Sequence, residues 1–161
     1  MINERINKIL NNEKYKECLL RIEEAEKNRE FCKHNIEHFV DVSRIAYIVV
    51  LENRLSYKKD VVYAVGLLHD IGRFKQYEDG TPHNIASSNL ARAILEEAGY
   101  SLEEINEITY AIEGHRNFIS DENSLQNIIY RSDKLSRKCF RCNACENCNW
   151  SYEKKNMIIT Y

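Results

Sequence analysis

The amino-acid sequence predicts an all-α protein, and three observations carry that expectation. The chain has one Pro and five Gly among 161 residues, so the residues that punctuate strands and tight turns are scarce. Leu, Ile, Ala, Glu and Lys are abundant, which favours helix in most windows. Apolar residues also recur at three- and four-residue spacing in segment after segment, the period of a helix with one buried face. A chain of this length buries roughly two-thirds of its unfolded surface, so one core can form without disulfides or metal.

Taken in order, residues 3–29 carry a helical period but are heavily charged, as in "RIEEAEKNRE". They read as a solvated face with no chemistry. From His38, the positions His38, Val42, Ile45 and Val49 form the buried stripe of a helix reaching about Glu52. The turn "NRLSYKK" leads to "DVVYAVGLLHDI", apolar on nearly all sides and therefore a central helix, with His69 and Asp70 in its last turn and Gly72 as its stop. "RFKQYEDG" reads as a loop. Thr81 and Pro82 then suit an N-cap and first helical residue, opening a helix with His83, Ser87, Leu90, Ala91 and Ile94 on one side and Gly99 beyond its end. Ser101 and Glu104 have capping-box form and start a helix with the stripe Ile105, Ile108, Ile112, His115. Asn123 and Gln126 start the last helix, where Leu125, Ile129 and Asp133 share a face.

Four of the five histidines (38, 69, 83 and 115; His34 is the other) and two aspartates thus fall on faces that otherwise read as buried. A single imidazole there is ordinarily a hydrogen-bonded core residue, but an ionised carboxylate in a dry core is costly unless a cation or several donors compensate it. Asp70 and Asp133 beside four imidazoles therefore point to bound divalent cations. Helix-borne His and Asp suit Fe, Mn, Co, Ni or Zn, Ca²⁺ fits poorly, and Mg²⁺ is compatible with an oxygen-rich position. At a frayed helix end beside Gly72, His69 and Asp70 can converge on one ion, and the two oxygens of Asp70 allow it to bridge to another.

The formal charge of −2 and pI near 6.2 argue against a general nucleic-acid binder. "MINERINKIL" is too polar for a signal peptide and "IAYIVVL" too short to span a bilayer, which points to a cytoplasmic protein. Six cysteines in that setting are reduced thiols or metal ligands. Cys139, Cys142, Cys145 and Cys148 recur every third residue, so a non-helical loop could wrap them around zinc or a [4Fe–4S] cluster, whereas Cys18 and Cys32 read as core residues.

"LLHDIGR", preceded by "HFVDVSRIA" and followed by "PHNIASSNLA", "AIEGHRN" and "YRSDKLSR", resembles the HD-domain superfamily of metal-dependent phosphohydrolases. The ordered set His, His-Asp, His, His, Asp resembles its two-metal members, among them the bacterial diadenosine tetraphosphate hydrolases. The resemblance implies an HD-domain helical bundle with a five-helix core over residues 1–138, its motifs within 34–138, and a cysteine-rich extension, 139–161, that is not an independent domain. It further implies that His38, His69, Asp70 and Asp133 hold one metal and His83 and His115 a second, with Asp70 bridging and Arg73 in the family's basic position. In "HNIEH" the downstream Val42 and Ala46 favour His38 as the ligand, leaving His34 as a supporting donor, an extra ligand or a helix-start residue.

The activity so implied is hydrolysis of a phosphate ester or anhydride, with a nucleotide as the expected small-molecule partner and a homodimer as the protein partner left open. Asp70 and Arg73 are the expected catalytic residues, and Arg73, Arg116 and Lys134 are placed to meet a phosphoryl group. Arg131, Lys134, Arg137, Lys138 and Arg141 form a basic cluster that could hold a polyphosphate tail or simply offset a helix dipole. Two competing classes use the same residues: an HD-fold di-iron oxygenase resembling inositol oxygenase, and a metal or redox sensor without turnover in which the cysteine run is the active part.

Overall fold

The computed structural model describes residues 3–161. The described residues form α1 (Glu4–Asn11), α2 (Glu13–Ala25), α3 (Ile36–Glu52), α4 (Lys59–Leu68), α5 (Arg73–Glu78), α6 (His83–Ala98), α7 (Leu102–Gly114) and α8 (Leu125–Leu135), followed by short 3₁₀ turns at Cys139–Arg141 and Tyr152–Lys154. The all-α expectation holds, and no helix among the described residues is long and apolar enough to cross a membrane.

The central position of α4 follows from its composition. Val61, Val62, Ala64, Val65, Leu67 and Leu68 are all buried, and the helix touches α1, α3, α6, α7 and α8. Four helices, α3, α6, α7 and α8, thus pack around it to make a five-helix core, with α3 also meeting α8 and α6 meeting α7. Close approach of α3 to α4 depends on Gly66, because a Cβ there would lie 2.8 Å from the Ser43 Cα. Gly72 similarly lets the turn after α4 sit on α6: a Cβ would lie 2.6 Å from the Ala86 carbonyl carbon, and the Gly72 N–H donates to Ser87 Oγ at 2.9 Å.

Several local expectations are corrected. The N-terminal stretch is two helices broken at Asn12, whose side chain caps α2, and its face is not merely solvated: Ile9, Tyr15, Cys18, Ile22 and Glu26 are buried. "RFKQYEDG" is mostly helix, because burying Phe74 against α2 stabilises a short α5; Arg21 of α2 lies over the Phe74 ring. His69 and Asp70 sit just past the end of α4 rather than inside its last turn. Thr81 bonds Asp79 instead of capping α6, which begins at His83 after Pro82. The cap of α8 is Ser124, one residue later than expected. Ile45 and Leu90 are half-buried, so Ala46 carries the α3 stripe in place of Ile45. The Ser101/Glu104 capping box and the left-handed Gly99 (φ 88°) after α6 form as expected.

Candidate metal centre

Each chemistry-bearing side chain stands at a helix end or on a buried helix face. Asn35 caps α3 by accepting from the His38 N–H at 3.0 Å, which fixes His38 in the first turn. His69 and Asp70 follow α4, His83 opens α6, His115 follows α7, and Asp133 lies on α8. Two groups converge, His38/His69/Asp133 and Asp70/His83/His115, with ligand atoms within 4.8 Å of one another in each. All six of the expected His and Asp residues are therefore brought together.

Asp70 connects the two groups. Its Oδ1 lies 3.2 Å from His83 Nε2 and 3.5 Å from His115 Nε2, and its Oδ2 lies 3.7 Å from His69 Nε2 and 3.6 Å from His34 Nε2. Asp133 Oδ1 lies 3.2 Å from His38 Nε2 and 3.9 Å from His69 Nε2.

The other ring nitrogens report the tautomers. His69 Nδ1 is 2.7 Å from the Gly66 carbonyl and His115 Nδ1 is 2.6 Å from the Ile112 carbonyl; a carbonyl only accepts, so both Nδ1 atoms carry the proton. Ser136 Oγ donates to the Asp133 carbonyl at 2.7 Å, leaving it to accept from His38 Nδ1 at 3.0 Å. Glu26 Oε1 accepts from His34 Nδ1 at 2.5 Å, and His83 Nδ1 lies between Gln76 Oε1 at 2.6 Å and Arg73 Nη1 at 2.7 Å. In the neutral rings the Nε2 atoms of His34, His69 and His115 then present lone pairs toward Asp70 oxygens, an arrangement that a cation between them relieves, while His38 Nε2 accepts from Arg137 Nη2.

The chemistry of the donor set fits metal. His69 Nε2 and Asp70 Oδ1 are buried without any hydrogen-bond partner, a costly state that a divalent ion relieves. Burial pushes His69 down to about 3 and, with the Arg73 charge adding to it, His83 down to about 4, which keeps both imidazoles neutral and able to ligate. Burial also lowers His38. For His115, burial opposes protonation but the Asp70 carboxylate outweighs it, so its pKa is raised. Burial likewise opposes ionisation of Asp70 and Asp133, yet the surrounding imidazoles, with Arg137 beside Asp133, hold both well below the ordinary carboxylate range.

Sequence reasoning missed the supporting residues. Glu26, 2% exposed, accepts both the His34 backbone N–H at 2.7 Å and the His34 ring, and Tyr77 donates to it at 2.7 Å. Burial opposes its ionisation, but these donors bring it down to about 2. Arg137 turns inward: its Nη2 lies 3.0 Å from His38 Nε2 and 3.3 Å from Asp133 Oδ1. Nothing in the local sequence marks Glu26, because it sits in a charged run far from any ligand; Ser136 and Gln76 had only their nearness to Asp133 and His83 as signals.

Arg73, Arg116 and Lys134 line one cavity of about 200 Å³ with His34, Asp70, His83, His115 and Asp133. The wider basic cluster does not gather there: Lys138 pairs with Asp41 at 2.9 Å, and Arg131 and Arg141 are exposed. The four cysteines of the run also form no converging group among the described residues. Cys139 is buried, Cys142, Cys145 and Cys148 are half-buried, and successive i to i+3 backbone bonds link them. Cys32 is half-buried rather than a core residue, and Cys18 is buried as expected.

An all-helical bundle whose helix ends bring paired His/Asp groups onto one carboxylate defines a helical domain with a candidate metal centre. Residues 35–138 match the family model described as HD domain, and the chain belongs to the HD-domain family. It is 48% identical over 158 residues to an uncharacterized protein of Clostridium beijerinckii, covering 98% of this chain and 99% of that protein. Its fold is shared by the crystal structure of a predicted HD superfamily hydrolase from an uncultured Thermotogales bacterium, with TM-score 0.62, 22% identity, and coverage of 88% of this chain and 81% of that one.

Proposed function

We propose that this protein is a metal-dependent phosphohydrolase that cleaves a phosphate ester or anhydride at a two-metal site, with a nucleotide as substrate. The observation that carries the reading is the position of Asp70: each of its oxygens faces a different imidazole group, and Oδ1 and His69 Nε2 are buried without partners. His38, His69, Asp70 and Asp133 would hold one ion and His83 and His115 the other, with Asp70 shared. The mixed imidazole and carboxylate set suits Fe, Mn, Co, Ni or Zn, and Mg²⁺ at the more oxygen-rich position. Divalent cations held there supply Lewis acidity and make bound water acidic enough to attack near neutral pH.

The chain's own residues supply the rest. Arg73, Arg116 and Lys134 place fixed positive charge around the cavity above Asp70, where a phosphoryl group gains negative charge during displacement. Arg73 is anchored at the cavity wall: its Nη1 lies 2.7 Å from His83 Nδ1 and its Nε 3.4 Å from the Tyr77 hydroxyl. His34 is held by Glu26 as the ligating histidines are held by their acceptors, which supports it as an additional ligand rather than a helix-start residue. Residues 139–161 are an extension fastened to the HD domain rather than an independent domain: Asn156 Nδ2 donates to the Lys134 and Arg137 carbonyls at 2.6 and 3.0 Å, and the Asn156 carbonyl accepts from the Phe140 N–H.

The resemblance to diadenosine tetraphosphate hydrolases supports a dinucleoside polyphosphate among the substrates to test. A phosphate-release screen over nucleotides with Mn²⁺, Fe²⁺ and Co²⁺ under anaerobic conditions tests the reading. Hydrolysis that persists without oxygen supports it; turnover that requires oxygen replaces it with the oxygenase.

A further inference from the structure

Residues 139–161 lie beyond the matched family region, and they wall a cavity separate from the metal groups. It measures about 630 Å³ and is lined by Tyr130, Arg131, Lys134, Asn149, Trp150 and Lys154 among others, within the roughly 300–1,000 Å³ of small-molecule sites. Two residues connect it to the candidate metal centre. Lys134 also lines the cavity over Asp70 and Asp133, and Trp150 also lines a neighbouring cavity with His34, Arg73 and Asp133.

The chemistry of its walls is specific. Arg131, Lys134 and Lys154 make no ion pair among the described residues, and Asp133, the acid next to Lys134, pairs with Arg137. Fixed positive charge of this kind calls for an anion. The Tyr130 ring is engaged, with Lys134 Nζ 3.4 Å from its centroid and Phe118 against it at 6.2 Å. Trp150, half-buried, pairs with no ring or cation among the described residues, so its indole offers a stacking face. Asn149 beside it is exposed and adds an amide able both to donate and to accept. A planar heterocycle with a polar edge and an attached anion matches all three features.

We propose that this cavity is a nucleoside subsite, in which a nucleotide stacks its base on Trp150, meets Asn149 with the base's polar edge, and runs its phosphates past Lys134 toward Asp70 and Asp133. The direction of the phosphates rests on the phosphohydrolase reading; the subsite itself rests on the cavity.

Trp150 is the single tryptophan of the chain, so its fluorescence reports on the cavity directly. The full chain carrying Asp70→Ala, which removes turnover, is titrated with AMP, with ribose 5-phosphate and with inorganic phosphate. AMP is expected to quench Trp150 saturably and to bind at least about tenfold tighter than ribose 5-phosphate, the order of gain that base stacking supplies. By calorimetry, Trp150→Ala with unchanged helical circular dichroism should weaken AMP binding by about the same factor. Lys154→Ala, at an exposed position that cannot disturb the core, should weaken it by a smaller factor. Equal affinity for AMP and ribose 5-phosphate, or AMP binding unchanged in both variants, overturns the subsite. AMP quenching in a protein whose wild-type form releases no phosphate from any nucleotide would instead sink the hydrolase reading and leave the subsite standing. Phosphate release by the wild type without base-dependent affinity in the titration does the reverse.

Discussion

His34 faces Asp70: its Nε2 lies 3.6 Å from Asp70 Oδ2, while Glu26 holds the opposite ring nitrogen at 2.5 Å. A buried carboxylate that fixes an imidazole in this way sets its tautomer and its orientation as a ligand. Glu26→Gln keeps the shape but removes the charge. It should weaken metal binding about 10- to 100-fold, measured by titrating metal-stripped protein with Mn²⁺ or Co²⁺. His34→Ala should do at least as much. Unchanged affinity in both variants would return His34 to a packing role.

The contact between α3 and α4 gives a stability prediction. A methyl at Gly66 would meet the Ser43 backbone, which belongs to a helix and cannot move aside alone. Gly66→Ala should therefore cost about 1–3 kcal/mol despite the better helix propensity of Ala, read as a lower midpoint in urea. A stabilised protein would show that the helices separate easily.

Acid should weaken the anchoring of α1. Arg5 bonds Glu104 at 2.6 Å and also pairs with Asp60, and its hydrogen bond is the main cause holding Glu104 down at about 2. A carboxylate with a depressed folded-state pKa contributes stability above its ordinary value of 4.5 and loses it as pH falls toward about 2. The urea midpoint should fall across that window in the wild type, and Arg5→Ala should flatten the dependence. Equal pH slopes in the two proteins would contradict this.

Asn156 fastens the extension to the end of α8. Asn156→Ala leaves the Lys134 and Arg137 carbonyls without that donor and should make residues 139–161 the first site of limited proteolysis, with α1–α8 surviving as a resistant fragment. Cleavage that starts elsewhere would mean that other contacts hold the extension.

Much of the fold was legible because the chain marks its helices clearly. The stripe Ile105, Ile108, Ile112, His115, the Ser101/Glu104 box and Gly99 each encode a local event, and a local event can be read from spacing. The metal-group residues were legible for a different reason: six polar side chains on apolar faces demand a common cause. What stayed hidden depends on tertiary contact. Glu26 looks like any surface glutamate until α2 packs on α5 and carries it to His34. The helix at Arg73 exists because Phe74 has a place to bury. Arg137, read as part of a basic cluster, is distinguished from Lys138 only by its turn toward His38 and Asp133.

Metal content and phosphate release, measured together on anaerobically purified wild type and Asp70→Ala, test the central claim most directly. If Asp70 is shared between two ions, the wild type should carry about two per chain. The variant should fall below one and lose phosphate release, while its circular dichroism stays helical. A folded Asp70→Ala protein that keeps its metal and still releases phosphate would contradict the account.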